Sequence, residues 1–134
     1  TTMALKVPTT HMHLHSLIVQ LKDRAVTAER VREVLRRTPR ILLVNSKFGV
    51  KSTAHAYDIG REIGRERSDI FENIVWEDSL TVEDSELYFF MGVHQEAIVI
   101  PENVDAIRAM FNLASSEKSI QKTDATLGIK LSIP

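Results

Sequence analysis

The sequence predicts an α+β domain in which a mixed, largely antiparallel sheet is covered by helices. Short apolar segments of strand length recur along the chain, and capped segments with apolar residues at helical spacing separate them. Late in the chain two extended segments flank a short polar turn, which is typical of a β-hairpin. The 134 residues suffice for one domain with a sizeable core. We expect the helices to cover one face of the sheet.

The composition is that of an ordinary globular domain. A net charge of −1 gives no indication of a nucleic-acid or anionic-membrane partner. No apolar run approaches the ~20 residues of a membrane span, and no signal-peptide pattern is present, so we expect a cytoplasmic protein. The sequence contains no cysteine, which excludes disulfides and thiolate chemistry from these residues.

A predicted strand over residues 11–21 contains three of the five histidines. A shorter strand at Met3–Val7 and a bend at Pro8 precede it. Because side chains alternate along a strand, we expect the three imidazoles to point the same way. Apolar residues on both faces of its later half predict an interior strand covered on two sides. The histidines stand at alternate positions: His11, His13 and His15.

Three interpretations of these histidines remain open. Imidazole exchanges protons near neutral pH, so a group at the end of a core strand suggests a catalytic site. A single histidine on a strand can equally be a hydrogen-bonded structural residue. His-x-His on a strand can also present two imidazoles to Zn²⁺, but cysteine is absent and no carboxylate nearby has an obvious ligand role, so we expect no metal.

The middle of the chain predicts two helices and a buried strand. Thr27 is a good N-cap, and the first helix ends near Arg37, before the Thr38-Pro39 pair. The apolar run Ile41–Val44 reads as a buried strand. Ser52 or Thr53 caps the second helix. Because glycine weakens a helix, Gly60 and Gly64 predict a close approach of another element.

The second half predicts the hairpin and two more helices. Residues 74–76 and 80–82 are extended, residues 83–85 form a turn, and residues 86–93 form the returning strand. We place Pro101 in the first turn of the next helix, and expect a short last helix over 119–127. The polar group at 94–96 follows a strand, and we expect it to converge with the histidine strand.

Six motifs, taken together, resemble archaeal-type glyceraldehyde-3-phosphate dehydrogenase. Their order and spacing match the C-terminal part of that enzyme over essentially all 134 residues. The motifs are Pro8-Thr9-Thr10-x-Met12-His13-x-His15, Thr38-Pro39-Arg40, Ser52-Thr53-Ala54, Val93-His94-Gln95-Glu96, the run Ile100–Ala109, and Ser119-Ile120-x-Lys122-Thr123.

The resemblance implies oxidation of glyceraldehyde 3-phosphate, with phosphate, to 1,3-bisphosphoglycerate. In this family a cysteine attacks the aldehyde, hydride passes to NAD or NADP, and phosphate attacks the resulting thioester. A histidine acts as general base. The resemblance also implies a homotetramer in the full enzyme, and from the charge and hydropathy we expect no nucleic-acid or membrane partner.

Matched residue by residue, the resemblance assigns the catalytic histidine to His13. Gln95 falls where the family contacts the nicotinamide end of the cofactor, and its amide can both donate and accept hydrogen bonds there. His15 and Thr10 fall on the substrate side or behind the catalytic histidine. His11 stands where the family usually has an apolar residue, so we assign it no role.

Two departures limit what these residues do by themselves. Ala97-Ile98 replaces a common Ser-Asp pair, which changes local loop contacts. The chain has neither the nucleophilic cysteine nor a Gly-x-Gly-x-x-Gly loop. We therefore expect residues 1–134 to be the C-terminal part of a catalytic domain, inactive alone, with the nucleotide-binding domain and the cysteine upstream. The alternatives are a stand-alone binding or assembly module and a small His-rich metal-binding protein.

Overall fold

The computed structural model of the protein describes residues 11–129, and within them it contains one mixed sheet and four α-helices. The predicted α+β class is confirmed. The strands are β1 (His13–Gln20), β2 (Ile41–Val44), β3 (Asn73–Trp76), β4 (Thr81–Glu83) and β5 (Glu86–Val93). The helices are α1 (Ala28–Arg37), α2 (Thr53–Glu62), α3 (Gln95–Met110) and α4 (Ser116–Leu127). The strand predicted at Met3–Val7 lies outside the described residues.

Strand β5 organises the sheet. The strand order is β1-β5-β3-β2, and β4 also pairs with β5. β5 is antiparallel to β1, β3 and β4, whereas β2 and β3 are parallel and need the crossover that contains α2. The predicted hairpin joins β4 to β5 through Asp84 and Ser85, whose φ angles of 47° and 69° suit a tight hairpin turn.

Helices pack on both faces of the sheet, not on one as we expected. On one face, Ala56 and Ile59 of α2 pack with Ile74 and other buried residues, which we call the α2-side cluster. On the opposite face, Val31 and Leu35 of α1 pack around Val75 and its neighbours, which we call the α1-side cluster. Successive residues of β3 point to opposite faces, so the two clusters lie on either side of the same strand. Both faces of the sheet are therefore covered near β2 and β3.

The prediction that the histidine strand is interior is wrong. Within residues 11–129, β1 is an edge strand that pairs with β5, and most of its side chains are exposed. Leu14 is 57% exposed and Ile18 is 65% exposed. Apolar residues occur on both faces of β1, but α1 and α2 have only ten residues each and cover the two faces of the sheet near β2 and β3.

The predicted start of α3 is also wrong. The helix begins at Gln95, and Pro101 lies inside it. The N–H groups of Ala97 and Ile98 both donate to the His94 carbonyl, so the first turn has formed before the proline is reached. Proline removes one intrahelical donor, and complete burial of the Pro101 ring offsets that loss.

Arg40 joins the start of β2 to the last two helices. Its side chain is 5% exposed, and its backbone has a left-handed φ of 58°. The guanidinium donates to Glu102 at 2.8 Å and Asp105 at 2.5 Å on α3, and to Asp124 at 2.8 Å on α4. Burial alone would lower the pKa of Arg40, but the three carboxylates hold it above its ordinary value. The group therefore remains charged in the folded protein.

Asp105 accepts further hydrogen bonds from α4. The hydroxyl groups of Ser119 and Thr123 donate to its Oδ1 at 2.6 Å and 2.7 Å. Burial would raise the pKa of Asp105, but these two hydroxyls and Arg40 together lower it below the ordinary value. The contacts fix α3 and α4 relative to the sheet. Within residues 11–129 no helix is both long enough and apolar enough to span a membrane.

Candidate active site

The beginning of β1 and the end of β5 meet, as the sequence predicts for the two polar clusters. His13 lies opposite Val93 in the antiparallel register. Val93 is the last residue of β5, His94 follows it, and Gln95 is the first residue of α3. One end of the sheet therefore places His13 beside the two polar residues that open α3.

His13 and His15 share one face of the sheet and are both exposed. Their partners on β5 are Val93 and Met91. Met91 also pairs with Val75 of β3, and both belong to the α1-side cluster, so the two histidines lie on the α1 side of the sheet. Because both imidazoles are exposed, a reacting group from another part of the protein can reach them, as a role in proton transfer requires.

His11 departs from the predicted common direction. Met12, between His11 and His13, has a left-handed φ of 50° and buries its side chain in the α2-side cluster. This reversal interrupts strand alternation, and the His11 ring lies 5.2 Å from the ring of Tyr57 on α2. The prediction that all three imidazoles point the same way is therefore wrong for His11.

The chain offers no metal centre in the part that the structure describes. No group of three or more His, Cys, Asp or Glu side chains there is arranged to hold an ion. The separation of His11 from His13 and His15 is one reason, since the three imidazoles occupy opposite sides of the sheet.

His94 is buried at 6% exposure behind the candidate site. Its Nδ1 accepts a hydrogen bond of 3.1 Å from the backbone N–H of Ile70. The edge of its ring meets Tyr57, with the ring centroids 5.2 Å apart. Its Nε2 lies 3.6 Å from a carboxylate oxygen of Glu96, which is itself largely exposed. His94 therefore contacts three separate parts of the chain.

Gln95 and Glu96 are exposed in the first turn of α3. The Gln95 amide has both donor and acceptor groups, which is the set that a carboxamide ligand requires. The Glu96 carboxylate suits the positive end of the helix dipole. Thr10, the remaining predicted site residue, lies outside the described residues, and no position is assigned to it.

A concave region lies apart from the candidate site residues. A cleft of about 500 Å³ is lined by residues at the start of β2, on α3 and on α4, including Arg40 and Asp105. The guanidinium of Arg40 is already bound by three carboxylates. This cleft is consequently not the place where the predicted site residues gather.

Sequence reasoning assigned no contacts to two side chains of this region. Tyr57 contacts both His11 and His94, but its place in an ordinary helical pattern gives no signal of that. His94 belongs to one of the motifs noted above, yet only the folded chain shows that its side chain turns inward to Ile70.

Residues 1–79 match the family model described as glyceraldehyde 3-phosphate dehydrogenase, C-terminal domain. This segment includes β1, His13 and His15. It ends before β5, so the region of Gln95 is compared through individual relatives.

Nearly the whole chain is similar to curated proteins named glyceraldehyde-3-phosphate dehydrogenase. The identity is 52% over 128 residues with the Archaeoglobus fulgidus protein and 49% over 130 residues with that of Methanobacterium formicicum, in each case over 96% of this chain. The Methanopyrus kandleri protein is 48% identical over the full chain. The 134 residues span only 37–38% of the length of these relatives.

Proposed function

Because this chain belongs to the glyceraldehyde-3-phosphate dehydrogenase family, we propose that it is the C-terminal part of the catalytic domain of a phosphorylating enzyme of that kind. In this proposal the whole enzyme converts glyceraldehyde 3-phosphate, phosphate and NAD(P) to 1,3-bisphosphoglycerate and NAD(P)H. The observation that carries the proposal is the placement of His13, exposed at the end of the sheet and paired with the residue that leads into His94 and Gln95.

His13 is the proposed general base. An imidazole exchanges a proton near neutral pH. It can take the proton of the nucleophile, return it to the oxyanion of the adduct to form the hydroxyl group, and take it back when that group is oxidised. Exposure of His13 on the α1 side leaves its ring free to meet groups supplied by residues outside 11–129. His15, on the same face, is proposed to support the substrate side of this site, together with Thr10.

Gln95 is the proposed contact to the nicotinamide end of NAD or NADP. The donor set fits the carboxamide, because a primary amide both donates and accepts. The cofactor supplies the hydride acceptor when it is bound. The sequence contains no Gly-x-Gly-x-x-Gly loop, so binding of the cofactor phosphates is assigned to an upstream nucleotide-binding domain.

The residues of this chain are proposed to be inactive alone, since the sequence has no cysteine to act as the nucleophile. The enzyme is proposed to act in the cytoplasm as a homotetramer. Exposed apolar side chains on β1 and β5, such as Leu14, Ile18 and Phe90, support contacts with further protein.

Substitution of His13 in the full-length enzyme tests the proposed function. We expect His13→Asn to lower kcat for glyceraldehyde 3-phosphate oxidation by roughly 10²–10⁴-fold, the usual contribution of a general base. His55→Asn is the matched control, because His55 is an exposed histidine on α2 whose Nδ1 accepts a backbone N–H from Lys51. The control is expected to keep wild-type turnover. Wild-type turnover in His13→Asn would overturn the assignment of the base.

A further inference from the structure

His94 occupies the N-cap of α3 but does not cap it. No hydrogen bond joins its side chain to the first turn of the helix. The ring instead turns inward, is 6% exposed, and accepts the N–H of Ile70 at its Nδ1. The side chain therefore binds another part of the fold at the point where β5 becomes α3.

The hydrogen bond from Ile70 defines the form of the ring. A histidine nitrogen that accepts an N–H holds no proton, so the neutral imidazole has its proton on Nε2. Ile70 is completely buried. A buried N–H that loses its acceptor costs free energy, because water does not reach it. The fold is therefore most stable when the imidazole stays where it accepts this hydrogen bond.

Tyr57 holds the ring from the side. The two rings meet edge to face, at 72° between their planes. The Tyr57 hydroxyl donates to the carbonyl of Arg67 at 2.9 Å, which fixes the tyrosine in turn. His94 therefore contacts α2 through Tyr57 and the segment that precedes β3 through Ile70.

The neighbours of His94 in sequence connect it to the candidate site. Val93 pairs with His13 across the sheet, and Gln95 begins α3. Any shift of the His94 backbone moves the start of α3, and with it the exposed amide of Gln95. A misplacement of about 1 Å in such a group can cost roughly a hundredfold in catalysis.

We propose that His94 is a positioning residue, whose hydrogen bond with Ile70 and contact with Tyr57 hold Gln95 where it meets the nicotinamide end of the cofactor. This inference rests on the proposed function and deepens it. His94 touches neither substrate nor cofactor in this scheme. It acts through the backbone of the residue that follows it.

Two substitutions distinguish the effect of the hydrogen bond with Ile70 from the effect of the ring contact with Tyr57. His94→Phe keeps an aromatic ring against Tyr57 but loses the acceptor for the Ile70 N–H. His94→Asn loses the ring but can place its amide oxygen near the position of Nδ1. In the full-length enzyme we expect His94→Phe to weaken the Kd for NAD(P) about tenfold, and His94→Asn to restore it to within about threefold of wild type. His94→Gln, whose amide reaches too far to accept from Ile70, replaces His94→Phe if that variant does not fold.

A double-mutant cycle distinguishes positioning from a merely structural role. If His94 acts through Gln95, His94→Phe adds nothing to the loss of cofactor affinity caused by Gln95→Ala. Leu42→Ala is the control, because it removes a buried side chain of the same α2-side cluster, on β2. We expect it to lower stability while its effect on cofactor affinity stays near zero and adds to that of Gln95→Ala.

Wild-type cofactor affinity in His94→Phe, or strict additivity with Gln95→Ala, would overturn the positioning role. Wild-type affinity in Gln95→Ala would overturn it as well, because nothing would then depend on where the amide lies. The two results for His94→Phe leave the proposed function standing as long as His13→Asn lowers turnover as expected. Wild-type affinity in Gln95→Ala would also remove the proposed cofactor contact of Gln95, but not the proposed role of His13. Full turnover in His13→Asn is the separate result that removes the proposed function.

Discussion

Arg40 shows how one side chain can determine the arrangement of several elements. Its guanidinium binds Glu102, Asp105 and Asp124, which come from two helices that follow it by more than sixty residues. Asp105 and Asp124 are 14% and 18% exposed, so water can replace little of what Arg40 provides. Arginine offers several donors in a fixed planar arrangement, whereas lysine presents a compact charge at a single nitrogen atom.

We predict that Arg40→Met strongly destabilises the fold. The substitution keeps much of the side-chain length but leaves the partly buried carboxylates of Asp105 and Asp124 without their cation, which costs about 3 kcal/mol of the free energy of unfolding, the low end of the range for a buried pair. Arg61→Met is the matched control, because Arg61 is 71% exposed and pairs with Asp58 on the surface of α2. The control should change stability by less than ~0.5 kcal/mol in the same urea titration. Equal stabilities for the two variants would refute this role of Arg40.

The lowered pKa of Asp105 gives this prediction a pH dependence. Its folded-state pKa lies below the unfolded value of ~3.9, so its stabilising contribution is present above that value. The contribution is lost as pH falls through the lower, folded-state pKa. The stability advantage of the wild type over Arg40→Met is therefore expected to be full near neutral pH and to shrink in acid.

At the scale of elements, Gly60 shows why α2 tolerates a poor helix former. A Cβ built on Gly60 would lie 2.4 Å from the backbone oxygen of Ser68, inside any permitted contact. The prediction of close approach is thus confirmed for Gly60. It is wrong for Gly64, which has open space around its Cβ position and a φ of +78°. Gly64 follows the helix and allows the chain to turn.

We predict that Gly60→Ala destabilises the protein, although alanine is the better helix former by up to about 1 kcal/mol. The added methyl group must displace backbone, so a net loss of roughly 1–3 kcal/mol is expected from thermal or urea unfolding. Ala54→Gly, at an exposed position of the same helix, measures propensity alone and should cost about 1 kcal/mol. A more stable Gly60→Ala protein would contradict the close contact with Ser68.

Helix caps and the limits of one strand could be predicted from the sequence, because neighbouring residues determine them. Thr27 caps α1 through its side chain, as predicted, and Ser52, one of the two predicted candidates, caps α2. Ile41–Val44 is a strand with the predicted limits. Pro101 misled the prediction of α3, because its preference for a first turn was outweighed by burial within the helix.

The candidate site could be predicted only where it follows from the order and ends of the strands. The convergence of His13 with the 94–96 segment could be expected from strand ends. The separation of His11 could not, because it depends on the left-handed backbone of Met12, an apolar residue whose sequence gives no such signal. The inward turn of His94 depends on Ile70, which is distant in sequence.

At the scale of the whole molecule, exposed apolar side chains of the described residues form groups in two places. One is the outer part of the sheet on β1 and β5, and the other is the end of α3 with the residues that follow it. Surfaces of this kind usually contact further protein. They support our proposal that the chain works within a longer, oligomeric enzyme. The exposed apolar side chains in these two places include Leu14, Ile18 and Phe90 on the sheet, and Met110, Phe111 and Leu113 near the end of α3. Phe48, which follows β2, is also exposed, at 87%.

The central claim is that His13 serves a cysteine and a nucleotide-binding domain located upstream in the same polypeptide. The most direct measurement is the intact mass of the protein purified from its source, with peptide sequencing of the region before Thr1. We predict a mass well above twice 15.2 kDa and an upstream peptide that contains cysteine. A native mass near 15.2 kDa would contradict the claim, since His13 would then have no thiol in its own chain to deprotonate.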